Sequence, residues 1–150
     1  MPDKQHQWLG RIKGIDREHK VAGIALTRFR AIISEDPTVL QQVREITPGD
    51  VPLALQNLEA TSFIRLFAEA EAALRDYWLS QKKSEPPAHQ LLDGIAARRQ
   101  IPHVLLRDAH EVRGCRNDLV HEPSITSAAI TIAEARRRLC KYIARLPPNW

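Results

Sequence analysis

Cysteine, aromatic residues and long apolar runs are all scarce in this sequence of 150 residues. Cys115 and Cys140 are the only cysteines and no CxxC spacing occurs, which argues against a disulfide framework or a zinc site and suits a reducing compartment. Aromatics make up 5%, and Trp8, Trp78 and Trp150 are too scattered to form a base-stacking platform. The longest apolar run, Val21–Leu26, contains Gly23 and is far short of the roughly 20 residues of a membrane span. The opening stretch MPDKQHQWLGRIKG has no apolar core of the kind a secretory signal needs, so a cytoplasmic protein with no membrane partner is expected. Gly10, Gly14 and Gly23 stand isolated, which excludes a glycine-rich phosphate loop there.

What is present is ordinary globular material, with 43% hydrophobic and 27% charged residues. Ala, Leu and Ile supply the filling, as in packed helices. The length is that of one domain, residues 1–150. A net charge of +4 conceals an asymmetry: residues 1–97 carry 12 Lys/Arg against 13 Asp/Glu, whereas residues 98–150 carry 10 against 5. All the late cations are Arg except Lys141, and arginine holds phosphate through a planar fork. A solvated helical face would explain the excess, and so would an anionic partner such as nucleic acid.

Helical periodicity recurs almost throughout. A first helix is expected over about 16–33, capped by Asp16, with Val21, Ile24, Ala25, Arg28, Phe29 and Ile32 on one face. Asp36-Pro37 should start a short second helix through Ile46. After Thr47-Pro48-Gly49, Asp50 is the next expected N-cap, and Leu55, Leu58, Ser62, Leu66, Ala70, Ala73 and Tyr77 keep one face to about Lys82. A short helix over about 88–97 follows Pro86-Pro87. A longer one from near Pro102 places Leu105, Val112 and Leu119 a heptad apart and must stop near His121, before Pro123. Thr131 and Glu134 form a capping box for a last helix with Ile132, Ala135, Leu139, Tyr142, Ile143 and Leu146 facing inward. The fold class expected is all-α: an antiparallel helical bundle over 50–146 with an N-terminal helical extension over 1–46.

The stretch with most chemical content is Arg113-Gly-Cys-Arg116-Asn117-Asp118-Leu-Val-His121. With Arg116 at 0° on a helical wheel, Arg113 falls at roughly 60°, Asn117 at roughly 100° and His121 at roughly 140°, beside the buried face. A loosened last turn could swing the His121 ring towards Arg116. Histidine moves protons near neutrality, and arginine stabilises charge developing on phosphate oxygens. An ordinary surface histidine and a capping arginine would look the same. Arg136-Arg137-Arg138 spread over about 200° and cannot form one flat patch. His103 and His110 have poor metal-ligand spacing, and HEVRG is not HExxH, so no metal and no cofactor are expected.

RNDLVH, Arg116 to His121, resembles the signature of the HEPN superfamily (higher eukaryotes and prokaryotes nucleotide-binding domains): an Arg, a polar residue, and a His after four to six intervening residues. Its place, at the end of a late helix before a loop and a final helix, also agrees. The helix carrying Phe63 to Trp78 is similar to the second core helix of such domains, in which Glu71 would fill the position of a Glu set among apolar residues more readily than Glu69. The resemblance covers about residues 50–146.

This resemblance implies a metal-independent ribonuclease whose homodimer brings two Arg/His motifs to a shared cleft. The 2′-hydroxyl of RNA would attack the adjacent phosphate, leaving a 2′,3′-cyclic phosphate and a 5′-hydroxyl. His121 would be general acid or base, Arg116 would bind the scissile phosphate, and Asn117 would orient the histidine or hold a phosphate oxygen. Glu71 and Arg113 are supporting candidates, though Glu71 could equally form an i,i+4 pair with Arg75. The family implies a toxin or defence role under an antitoxin or regulatory partner. Pro123 stands where nucleotide-accepting members have Tyr, so that form of control is not expected. The alternative is a non-catalytic HEPN-like module that binds nucleotide, RNA or a protein. With so few aromatics, RNA would be held mainly through phosphates, with strong salt dependence and loose sequence preference.

Overall fold

A computed structural model describes residues 3–122, 124–125 and 127–150. Among them are five α-helices, one 3₁₀ helix and no strand: α1 (Lys4–Glu35), the 3₁₀ helix (Pro37–Gln42), α2 (Asp50–Gln81), α3 (Ala88–Arg99), α4 (His103–His121) and α5 (Ile132–Ile143). The all-α bundle expected from the sequence is the observed fold.

Helix α1 starts twelve residues earlier than its periodicity suggests. Asp3 is its N-cap, accepting from the His6 N–H, while Asp16 lies inside the helix and is only 2% exposed. The inward face is correspondingly different: Ile12, Ile15 and Ile33 are buried, whereas Val21, Ile24 and Ile32 face outward. The reason lies in distant partners. Asp16 Oδ2 meets Lys20 Nζ at 3.2 Å and approaches Arg136 Nε of α5 at 3.1 Å, so burial is matched by opposite charge. Ile12 and Ile15 join the same core cluster as residues of α2 to α5. Ion pairs Glu18–Arg65, Arg11–Glu69 and Lys4–Asp76 run in opposite chain directions, so α1 and α2 are antiparallel. Each has 32 residues, which makes a hairpin roughly 48 Å long. Its connecting end has a separate small cluster of Ile33, Leu40 and Val51 with Phe29 packed on it.

The expected second helix is shorter than its pattern, a 3₁₀ turn that ends at Gln42. Asp50 is the first residue of α2 rather than its cap. Its carboxylate accepts from the Thr47 N–H at 2.7 Å, closing the turn that leads in. Beyond it, Phe63, Leu66, Phe67, Ala70, Ala73, Leu74 and Tyr77 form the buried stripe against which α1, α3, α4 and α5 pack. Gly94 of α3 is required by close approach: a Cβ there would lie 2.9 Å from the Trp78 ring. Helix α4 ends at His121, as expected; Pro123 lies outside the described residues. In α5 the Thr131 hydroxyl accepts from the Glu134 N–H at 3.1 Å, and Ile132, Ala135, Leu139, Tyr142, Ile143 and Leu146 are all buried. The Tyr142 hydroxyl donates to the Leu92 carbonyl at 2.6 Å, tying α5 to α3.

The chain ends are fastened together on α2. Gln5 Nε2 donates to the Leu146 carbonyl at 2.6 Å, and the Gln5 N–H to the Pro148 carbonyl at 3.1 Å. Asp76 Oδ2 accepts from Trp8 Nε1 at 3.2 Å, Trp150 Nε1 at 3.0 Å and Lys4 Nζ at 3.1 Å. Partial burial pulls the Asp76 pKa up, but the donors Trp150, Lys4 and Trp8 outweigh it and hold the carboxyl below its ordinary value. Its stabilising effect is therefore complete above the unfolded pKa of about 4 and disappears as pH falls through the lower folded value. Asp76→Ala is expected to cost about 1–2 kcal/mol, discounted for solvent access, and to lower Tm by roughly 3–6 °C. Thermal scans of both proteins should converge as the pH falls through the lowered folded pKa of Asp76.

Candidate active site

The side chains of interest lie at the seam of α2 and α4. Phe67 and Glu71 are one turn apart on α2, and both face Arg116 of α4. The Arg116 guanidinium carbon stands 4.7 Å from the centre of the Phe67 ring, and its Nη2 lies 3.5 Å from Glu71 Oε2. Its Nε is buried without a hydrogen-bond partner among the described residues. Glu71 is itself fixed by Arg75, whose Nε donates to Oε1 at 3.1 Å and whose Nη1 donates to the Pro86 carbonyl at 2.8 Å. One carboxylate thus serves two guanidinium groups, and the seam keeps a net positive charge. Both readings of Glu71, the partner of Arg75 and the partner of Arg116, hold at once. Glu69 instead pairs with Arg11 of α1.

The Phe67 ring and the Glu71 carboxylate, both within about 5 Å, restrict how the guanidinium can turn. The Arg116 side chain is 23% exposed, enough to present its remaining N–H donors to a ligand. A phosphate oxygen is the natural complement, since five donors in a fixed fork are only partly used by one distant carboxylate.

Asn117 follows Arg116 and is half-buried, and His121 is exposed in the last turn of α4. The helix is regular through His121, with the Glu122 N–H donating to the Asp118 carbonyl at 2.9 Å. No loosened turn swings the imidazole back. The five helical steps from Arg116 to His121 separate them by roughly 7.5 Å along the axis and roughly 140° around it. Among the described residues these two side chains share no hydrogen bond or ion pair, and Asn117 stands between them on the wheel. Arg113 is drawn elsewhere: its Nε donates to His110 Nδ1 at 3.4 Å, and His110 Nε2 pairs with Asp93 Oδ1 of α3 at 2.7 Å. His110 is thereby occupied at both nitrogens and does not present a free base.

The late arginines find internal partners. Arg136 approaches Asp16, and Arg138 joins Glu134 at 2.8 Å and also contacts Glu111. Glu134 accepts from Arg137 and Arg138, and those hydrogen bonds lower its pKa to about 2. Burial pushes the thiols of Cys115 and Cys140 up, away from the thiolate form a nucleophile needs. The family resemblance led to Arg116 and Glu71 but not to Phe67, whose signal was available in its position four residues before Glu71. The Asp93–His110 pair had no such signal, because it joins two helices.

Comparison with protein-family models, with curated proteins and with solved structures finds no match to this chain. Function is therefore read from its own side chains.

The seam contact should be measurable in a double-mutant cycle of Glu71→Ala and Arg116→Ala. Urea unfolding is expected to give a coupling of about 0.5–1 kcal/mol, falling in high salt, because both groups are partly exposed. Coupling indistinguishable from zero at low salt would remove Glu71 as the element that orients Arg116.

Proposed function

We propose that this chain is a metal-independent endoribonuclease of the HEPN type, working as a homodimer. The observation that supports it most is the Arg116 guanidinium, held between the Phe67 ring and the Glu71 carboxylate beside a helix end that exposes His121. An oriented guanidinium is suited to a phosphodiester whose equatorial oxygens gain charge during attack. An exposed imidazole at a helix C-terminus is suited to proton transfer with that phosphate's neighbours. Within one chain the two point to different sides of α4, so a cleft that uses both is completed by a second copy.

In this scheme Arg116 binds the scissile phosphate and Asn117 donates to one of its oxygens or orients an imidazole. The 2′-oxygen forms a bond to phosphorus as its proton passes to a base, and the bond from phosphorus to the 5′-oxygen breaks as that oxygen takes a proton. The two His121 side chains of the dimer serve as base and acid. The products are a 2′,3′-cyclic phosphate and a 5′-hydroxyl. Glu71 acts through Arg116 as a positioning residue, and Arg113 acts, if at all, through His110. A toxin or defence role in the cytoplasm, restrained by an antitoxin or regulatory protein, is consistent with this chemistry.

One observation favours a second reading, a non-catalytic HEPN-like module that binds nucleotide, RNA or a protein: Glu71 already offsets part of the Arg116 charge. The two readings separate on one experiment. Purified protein is incubated with single-stranded RNA in EDTA, beside Arg116→Ala and His121→Ala, and the new chain ends are identified. The expected result is cleavage to cyclic-phosphate ends, reduced at least ~100-fold by either substitution. Cleavage that survives both substitutions removes these residues from the chemistry, and retained RNA binding without cleavage in the wild type selects the second reading.

A further inference from the structure

Among the described residues, the most exposed large apolar side chains are on α1: Val21 is 67% and Ile24 72% exposed, and Ile32, further along the same side, is 42% exposed. Their helical spacing is that of a buried face, yet α1 meets α2 through Ile12, Ile15, Phe29 and Ile33 on its other side. The helix therefore has two apolar stripes, and the fold of one chain covers only one of them. At Ile24 the uncovered side forms an open, shallow hollow of about 720 Å³ whose lining, including Lys20, Gly23, Thr27, Arg28 and Ala31, belongs to α1 alone, while Val21 lines a separate hollow with Arg17 and Glu18.

The charges on this face indicate what can lie against it. Lys20 and Arg28 stand one turn before and one turn after Ile24, separated by roughly 12 Å along the axis. Lys20 is shared with Asp16, while Arg28 has no ion-pair partner among the described residues. No carboxylate lines the hollow at Ile24; of the carboxylates nearest the stripe, Glu18 is paired with Arg65 and Glu35 lies at the last residue of α1. The third ionisable group of the hollow is His19, whose Nδ1 is buried without a hydrogen-bond partner among the described residues. A second copy of α1 complements this face poorly. A two-fold axis at Ile24 sets Lys20 against the other copy's Arg28 if the helices are antiparallel, and sets each cation against itself if they are parallel. Like charges meeting across an interface oppose association, whereas carboxylates at those two places would favour it.

We propose that this face of α1 is a docking face for an amphipathic helix of an acidic partner protein. The apolar side of that helix covers Val21, Ile24 and Ile32, and carboxylates seven or eight residues apart meet Lys20 and Arg28. The site is distant in the sequence from Arg116 and His121 and stands whether or not the chain cleaves RNA.

The test uses the full chain and two synthetic 20-residue helical peptides with the same leucine stripe. One has glutamates flanking the stripe and the other has lysines in their place. Binding is followed by fluorescence anisotropy and by methyl chemical shifts of Val21, Ile24 and Ile32. The acidic peptide is expected to bind at least 10-fold more tightly than its basic twin and to shift those methyls. Ile24→Ser and Arg28→Glu should each weaken it at least 10-fold, and Lys141→Glu, on α5, less than 2-fold. These three side chains are exposed, and circular dichroism checks that each variant keeps its helices. Equal binding of the two peptides, no binding of the acidic one, or indifference to Ile24→Ser and Arg28→Glu overturns the proposal. So does a dimer in sedimentation that Ile24→Ser dissociates, because the occupant is then a second copy. A dimer unaffected by Ile24→Ser, with the peptide results as expected, supports it and leaves the pairing of the ribonuclease to another face.

Discussion

The burial of one stripe of α2 is the constraint on which the other helices depend. Phe63, Leu66, Phe67, Ala70, Ala73, Leu74 and Tyr77 are all 5% exposed or less, and α1, α3, α4 and α5 each pack against this helix. An apolar side chain transferred from water contributes roughly 1.5–3 kcal/mol, so this stripe outweighs any single polar contact in the molecule. It also sets what α2 can present at its borders. Glu71 and Asp76 flank the stripe, and each is partly covered by the helix or chain end that the stripe draws in. Arg116 meets Phe67 and Glu71 because Val112 and Leu119, on the adjoining side of α4, are buried in the same core.

Carboxylates then decide where the cations go. Asp16 draws Lys20 and Arg136, Glu71 draws Arg75 and Arg116, Asp76 draws Lys4, and Glu134 draws Arg137 and Arg138. The excess of arginine in the last third is consequently less available than its count suggests. Such pairs add little net stability at the surface, but one that is partly buried penalises any register that separates it. Asp16 is the clearest case. At 2% exposure it is tolerable only where Lys20 and Arg136 reach it, which fixes the level at which α5 lies along α1.

Much of this was legible in the sequence, for a physical reason that differs from helix to helix. The inward face of α5 could be read residue by residue because it is short, strongly two-sided and opened by the Thr131 cap. The start of α1 could not be read, because residues 4–11 are mostly polar and are held helical by contacts to Asp76, Glu69 and the C-terminal carbonyls. Asp16 is as good a cap as a buried ion-pair member, and the difference depends on Arg136, 120 residues away. At the site, Arg116 and Glu71 could be associated through the family resemblance, whereas spacing alone pointed to the Glu71–Arg75 pair. Arg113 was legible only as a neighbour on the wheel, and its capture by His110 depends on Asp93 of another helix.

The geometry of α4 bears on how the proposed chemistry would be organised. A helix that stays regular to His121 holds the imidazole about 140° away from the arginine, so the pair cannot close on one phosphate without bending the last turn. Bending would break the Glu122 to Asp118 backbone hydrogen bond, a net cost of about 1 kcal/mol, and would still leave a single imidazole to both accept and deliver a proton. Two copies of the same helix end would supply two imidazoles without that distortion. On the proposed reading, the rigidity of α4 is therefore what makes the working site a shared one. On the same reading, the Phe67 ring beside Arg116 would hold the fork in place for a phosphate before a second copy joined it.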